Sequence, residues 1–150
     1  MHDDAKSLIN ELIETSKDGE KGFSNAANDT SDPHLRGVFV ECAQRCRAGA
    51  SELQEQVRAL GGKPETGGSV MGAVHRGWLE VKSVVTSRDA KAILEECERG
   101  EDYAKARYAD ALKKELPMPV RQVLQRQYEG VISNHDRIRG LRDQYKSKSA

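Results

Sequence analysis

Small and apolar residues recur every three or four positions through four long segments of this chain, and that spacing commits each segment to a helix with one buried stripe. The first stripe carries Ile9, Leu12, Ser16, Phe23 and Ala26, and the second Leu35, Phe39, Cys42, Cys46, Gly49, Leu53 and Leu60. The third has Ala90, Leu94, Cys97, Ala104, Tyr108 and Ala111, and the fourth Val120, Leu124, Gln127, Val131, Asn134, Ile138 and Tyr145. One residue breaks the third pattern. Glu101 is in phase with that stripe, where a leucine is the ordinary occupant, and a carboxylate there must be paired, protonated or bound, because burying it alone costs several kcal/mol.

Breakers separate the stripes. Asn28-Asp29-Thr30-Ser31-Asp32-Pro33 ends the first helix and starts the second, with Ser31 or Asp32 as N-cap and Pro33 in the first turn. Gly61-Gly62 ends the second helix, and Leu116-Pro117-Met118-Pro119 makes a tight turn before the last. Helices are therefore expected at about 3–28, 32–60, 88–115 and 117–146, each roughly 40 Å long. The connection 61–87 contains Val70, Val74, Trp78, Val81 and Val85 at helical spacing, which predicts an extra helix at about 70–85. Such a helix covers roughly 24 Å, so the connection can travel the length of the bundle. The expectation is an all-α fold in one domain, residues 1–150: a four-helix bundle of two helical hairpins joined by a long crossover containing a short extra helix.

Charge narrows the partners. The 24 basic and 24 acidic residues cancel, and no basic cluster is interleaved with aromatics, so nucleic acid is not an expected partner. No apolar run reaches the roughly 20 residues that cross a bilayer, and Met1-His2-Asp3-Asp4 lacks the layout of a signal peptide, so a cytoplasmic location without membrane contact is expected. Three cysteines, Cys42, Cys46 and Cys97, form no disulfide pattern. No phosphate-binding glycine loop and no Ser-His-Asp spacing marks a catalytic centre.

Hairpin symmetry sets residues at common depths. A first turn centred between Thr30 and Ser31 puts Glu20 level with Glu41, and a second centred between Leu116 and Pro117 puts Glu98 level with His135. In a crossover topology helices two and three run parallel, which brings Glu41 and Cys42 level with Cys97 and Glu98. Glu20, Glu41, Glu98 and His135 then share a layer, with Glu101, Arg45 and Ser16 one turn away. Carboxylates and an imidazole from four helices suit iron, manganese or zinc, so Glu20, Glu41, Glu98, Glu101 and His135 form a candidate metal-ligand pool.

The stretches Leu12-Ile13-Glu14-Thr15-Ser16-Lys17-Asp18-Gly19-Glu20-Lys21-Gly22-Phe23, Gly72-Ala73-Val74-His75-Arg76-Gly77-Trp78 and Ile93-Leu94-Glu95-Glu96-Cys97-Glu98-Arg99-Gly100-Glu101-Asp102 resemble signature segments of an uncharacterised bacterial family of ferritin-like four-helix-bundle proteins. The stretch from Arg126 to Ile138 is similar to that family too. The resemblance implies a fold without an assigned activity. The wider ferritin-like superfamily places a lone Glu on helices one and three and Glu-x-x-His on helices two and four. Glu20 and Glu101 match the lone glutamates, each after a glycine, but Glu41-Cys42-Ala43-Gln44 ends in glutamine and His135 follows Ile132 rather than a glutamate.

Two readings of the core glutamates stay open: a charge network neutralised by Arg45, Arg99 and Lys105, or a site for iron or manganese. His135 is open between an interhelical hydrogen bond and ligation, the cysteines between small buried apolar residues and a thiolate site, and His75 with Trp78 between docking the crossover helix and forming a cofactor box. The expected function is a structural, binding or stress-associated bundle with no established catalysis that self-associates, with Gly49, Gly130 and Gly140 permitting close packing. The alternative is a divergent metal-carboxylate protein with oxidase or metal-storage chemistry.

Overall fold

A computed structural model of the chain describes residues 2–67, 78 and 90–149. Four helices account for nearly all of them: α1 (His2–Asp29), α2 (Pro33–Ala59), α3 (Ala90–Leu112) and α4 (Met118–Ser149). The expected crossover helix at about 70–85 lies outside the described residues, apart from Trp78.

Local chemistry sets the helix ends. Asp32 caps α2, its Oδ1 accepting from the backbone N–H of His34 at 2.8 Å and of Leu35 at 3.2 Å, while Pro33 opens the first turn with no N–H to satisfy. At the other end Gly61 takes φ 80°, a conformation that costs glycine little, and Gly61 N–H and Gly62 N–H donate to the Arg58 and Val57 carbonyls, both at 2.9 Å. Each hairpin also uses an arginine of its second helix to satisfy carbonyls at the end of its first. Arg36 donates to Ala27 O at 3.2 Å and Thr30 O at 2.8 Å, and Arg121 donates to Leu112 O at 2.9 Å and Lys114 O at 2.5 Å. Both turns thus cover the free carbonyls that every helix leaves at its C-terminus.

Cross-helix bonds give the directions. Asp32 meets Tyr145, Cys42 meets Asn134 and Glu52 meets Gln127, so α2 and α4 are antiparallel. Asp102 meets His135 and Tyr108 meets Gln127, so α3 and α4 are antiparallel as well. Hence α2 and α3 run parallel, which requires the intervening chain to return the length of the bundle. This is the two-hairpin, long-crossover order of the ferritin-like fold.

The buried apolar residues fall into two groups. One gathers Phe23, Phe39, Leu94 and Ile138 around Trp78, whose ring meets Phe23 edge-on at 5.2 Å between centroids. The other gathers Ile9, Leu12, Leu53, Tyr108 and Leu124 nearer the opposite end. Trp78 enters a slot that two glycines leave open: a Cβ on Gly22 would lie 2.3 Å from its ring, and one on Gly100 2.1 Å. Between the two groups the stripes turn small and polar.

Candidate functional site

That middle layer holds Glu101. Its side chain on α3 is 3% exposed, and Oε1 accepts from Nη2 of Arg45 on α2 at 3.1 Å. Burial pushes the Glu101 carboxyl above its ordinary range, and the Arg45 charge opposes that shift without cancelling it. The Asn134 side chain also favours the charged form, yet among the described residues Glu101 Oε2, Asn134 Nδ2 and Arg45 Nε complete no hydrogen bond. Asn134 Oδ1 is engaged by the Cys42 thiol at 3.1 Å. Burial pushes Cys42 up to about 11 and raises Cys46 and Cys97 as well. All three cysteines are free and buried, and at neutral pH they stay thiols, the form that neither attacks nor ligates well.

Beside the ion pair lies a chamber of about 450 Å³ with walls from all four helices, bounded by Ser16, Gly19, Arg45, Glu101, Tyr108 and Val131, with Trp78 also in its lining. Its outer side runs along the seam between α2 and α4, at Gly49 and Glu52 facing Arg126, Gln127 and Gly130. Polar bonds cross this mouth. Tyr108 OH donates to Gln127 Oε1 at 2.7 Å, Gln127 Nε2 donates to Glu52 Oε1 at 2.7 Å, and Glu52 also pairs with Arg126.

A second group sits on the α3/α4 seam. One ligand atom each from Glu98, Asp102 and His135 lies within 4.8 Å of the others. His135 is 1% exposed, with Nε2 at 2.5 Å from Asp102 Oδ1 and Nδ1 at 3.2 Å from Asp136 Oδ1. A carboxylate behind the far ring nitrogen is the usual way of fixing a ligating imidazole. Cations already serve Glu98, however, since Arg142 pairs with it and Arg139 Nε lies 3.5 Å away.

The five residues of the ligand pool therefore separate. Glu98 and His135 come together, joined by Asp102, which escapes a pool drawn from periodicity because it stands off the buried stripe and is 58% exposed. Glu101 lies apart from them with Arg45. Glu20 lies near Lys17 at 3.6 Å and Arg47 at 3.9 Å, and Glu41, 65% exposed, pairs with Arg137 at 3.0 Å. Gln44, where the superfamily pattern has histidine, is exposed. A two-metal centre of the ferritin type does not fit this donor set, because a guanidinium already neutralises Glu101 and no second nitrogen ligand is present among the described residues around it.

The chamber has no single-residue signal in the sequence. It arises where Ser16, Gly49, Ala104 and Gly130, one from each helix, come together.

Solved structures share this fold. A C-terminal deletion mutant of Mycobacterium smegmatis Dps superposes with a TM-score of 0.78 at 16% identity, over 93% of this chain and 98% of that one. An N-terminal deletion mutant of the same protein gives 0.78 at 15% identity, over 93% and 94%. At such identities the likeness speaks for the fold alone. No curated protein matches the sequence. The family model described as "Domain of unknown function (DUF2383)" matches residues 4–114, from α1 through the end of α3, and with well over half of its length matched the chain belongs to that family.

Proposed function

We propose that this protein is a structural and binding bundle of the ferritin-like fold, and that its core works without a two-metal centre. The Arg45–Glu101 ion pair carries this reading. A permanent cation 3.1 Å from the buried carboxylate supplies the charge that a metal would otherwise supply, and a second cation beside it would be repelled at short range. Such pairs hold helix register, and removing one partner leaves the other buried and uncompensated. Self-association belongs to the same proposal. Val40 and Met118 are exposed, and a Cβ at Gly37 or Gly140 would meet nothing within 4 Å, so these faces are open to a second copy.

The test is metal analysis of protein purified without chelator, followed by anaerobic Fe(II) titration of wild type and Glu101→Gln. Substoichiometric metal, and no spectral change that depends on Glu101, is the expected result. Stoichiometric iron lost on Glu101→Gln would overturn the reading. Light scattering at two concentrations measures self-association, and a monomer at both removes it.

One observation favours a second reading, a single divalent cation such as iron or manganese at Glu98, Asp102 and His135: the three donors already converge, with Asp136 behind the imidazole. The same titration with Asp102→Asn separates the two. Metal lost there but retained in Glu101→Gln places the ion on the α3/α4 seam.

A further inference from the structure

We propose that the central chamber binds a neutral, hydroxyl-bearing small molecule with an apolar body. The proposal deepens the binding reading above and rests on it. The chamber opens to solvent along the α2/α4 seam, and its volume of about 450 Å³ is within the roughly 300–1,000 Å³ of small-molecule sites. Its size follows from residue choice. Ser16, Gly49 and Ala104 stand on stripes whose other members include Leu12, Leu53 and Leu94, and Gly130 is next to Val131 on the stripe of Leu124. Among the described residues a Cβ on Gly130 would meet nothing within 4 Å, and one on Gly49 only the Gln127 side chain from 3.7 Å.

The wall chemistry selects the ligand. Among the described residues Arg45 Nε is a donor without a partner and Glu101 Oε2 an acceptor that the Asn134 side chain approaches without completing a hydrogen bond, both buried and both belonging to residues that line the chamber. Leaving buried polar atoms unmet is costly, and a hydroxyl can serve both, accepting from Nε and donating to Oε2. The ion pair is neutral as a unit. A carboxylate ligand would gain Arg45 but confront Glu101, and an ammonium would gain Glu101 but confront Arg45, so neither charge is favoured. Trp78, Val131 and Ala104 offer apolar surface to the rest of the molecule. Entry lies along the α2/α4 seam, where Gln127 joins Tyr108 in the chamber wall to Glu52 at the mouth.

The experiment titrates the full-length protein with cyclohexylmethanol, cyclohexanecarboxylate and cyclohexylmethylamine, three probes with one body and different heads. Calorimetry reads affinity, and the fluorescence of Trp78, the one tryptophan of the chain, reports occupancy of the chamber. Saturable binding of the alcohol is expected, with both charged probes and the Glu101→Gln variant weaker by at least about tenfold, the scale of a lost hydrogen bond to a charged group. Gly130→Leu obstructs the mouth of the chamber without touching the ion pair, so it abolishes binding while the circular-dichroism melt stays cooperative, and it serves as the control should Glu101→Gln fail to fold. A flat alcohol titration of folded wild type means that the chamber holds only water and overturns the proposal. Equal affinity for all three heads, or undiminished binding in Gly130→Leu, also overturns it. The failures are distinguishable, because metal at Glu101 appears in elemental analysis whereas an empty chamber leaves metal-free protein with no response to the alcohol.

Discussion

Glu101 carries its charge into a layer where Arg45 is its hydrogen-bonded partner and burial works against it. The sign of the resulting pH dependence is fixed by the direction of the shift. Its folded pKa lies above the ordinary glutamate value, so its contribution to stability is full below about pH 4.5 and is lost as pH rises through the folded value. The amide that Glu101→Gln introduces imitates the protonated carboxyl and cannot follow that change. Thermal melts of both proteins from about pH 4 to pH 7 should therefore show the wild-type advantage largest at acid pH and shrinking toward neutrality. Parallel profiles would show that Glu101 titrates normally. This residue was legible in the sequence because a charge in phase with a buried stripe has few explanations, and Arg45 was one of three cations, with Arg99 and Lys105, in the neutralised reading. Asp102 was not, because it sits on the outer shoulder of α3 and acquires meaning only when His135 reaches it from α4 at 2.5 Å.

The helices themselves follow from periodicity and punctuation, and the paired turns show why. Asp32 and Pro33 start α2, Gly61 stops it, and Arg36 and Arg121 close the hairpins by one device. Fine register depends on what packs into what. Hairpin symmetry set Glu20 beside Glu41, whereas Gly19 in fact lies against Cys46, whose Sγ would be 2.8 Å from an added Cβ. A slot and the atom that fills it override arithmetic by about one turn, and periodicity contains no information about slots. The glycines make this measurable. Gly140 lies in α4 with no atom within 4 Å of an added Cβ, so Gly140→Ala should stabilise by about 0.5–1 kcal/mol through helix propensity alone. Gly100→Ala gains the same propensity but drives a methyl to 2.1 Å from Trp78, and overpacking of this kind costs about 1–3 kcal/mol. Denaturant midpoints should move in opposite directions. A gain at both positions would mean that the Trp78 slot is loose.

At the scale of the whole molecule the two hairpins meet along two unlike seams. Between α1 and α3 the ring of Trp78 fills the gap left by Gly22 and Gly100, and between α2 and α4 small residues leave the chamber and its polar mouth. The crossover was legible from its length, and the family resemblance marked Trp78 as part of a signature segment. Its partners were not legible, since Gly22 and Gly100 become one slot only once α1 and α3 are side by side. Trp78→Ala should cost about 3–5 kcal/mol, the range for an aromatic deleted from a core, a large share of the roughly 5–15 kcal/mol that holds an ordinary domain folded. The stronger test is a double-mutant cycle. If the ring is what makes Gly100 obligatory, Gly100→Ala destabilises the wild type but is neutral or stabilising in the Trp78→Ala background, giving a coupling above about 1 kcal/mol. Equal costs in both backgrounds would transfer the requirement for glycine to the helix backbone and remove Trp78 as the piece that joins one hairpin to the other.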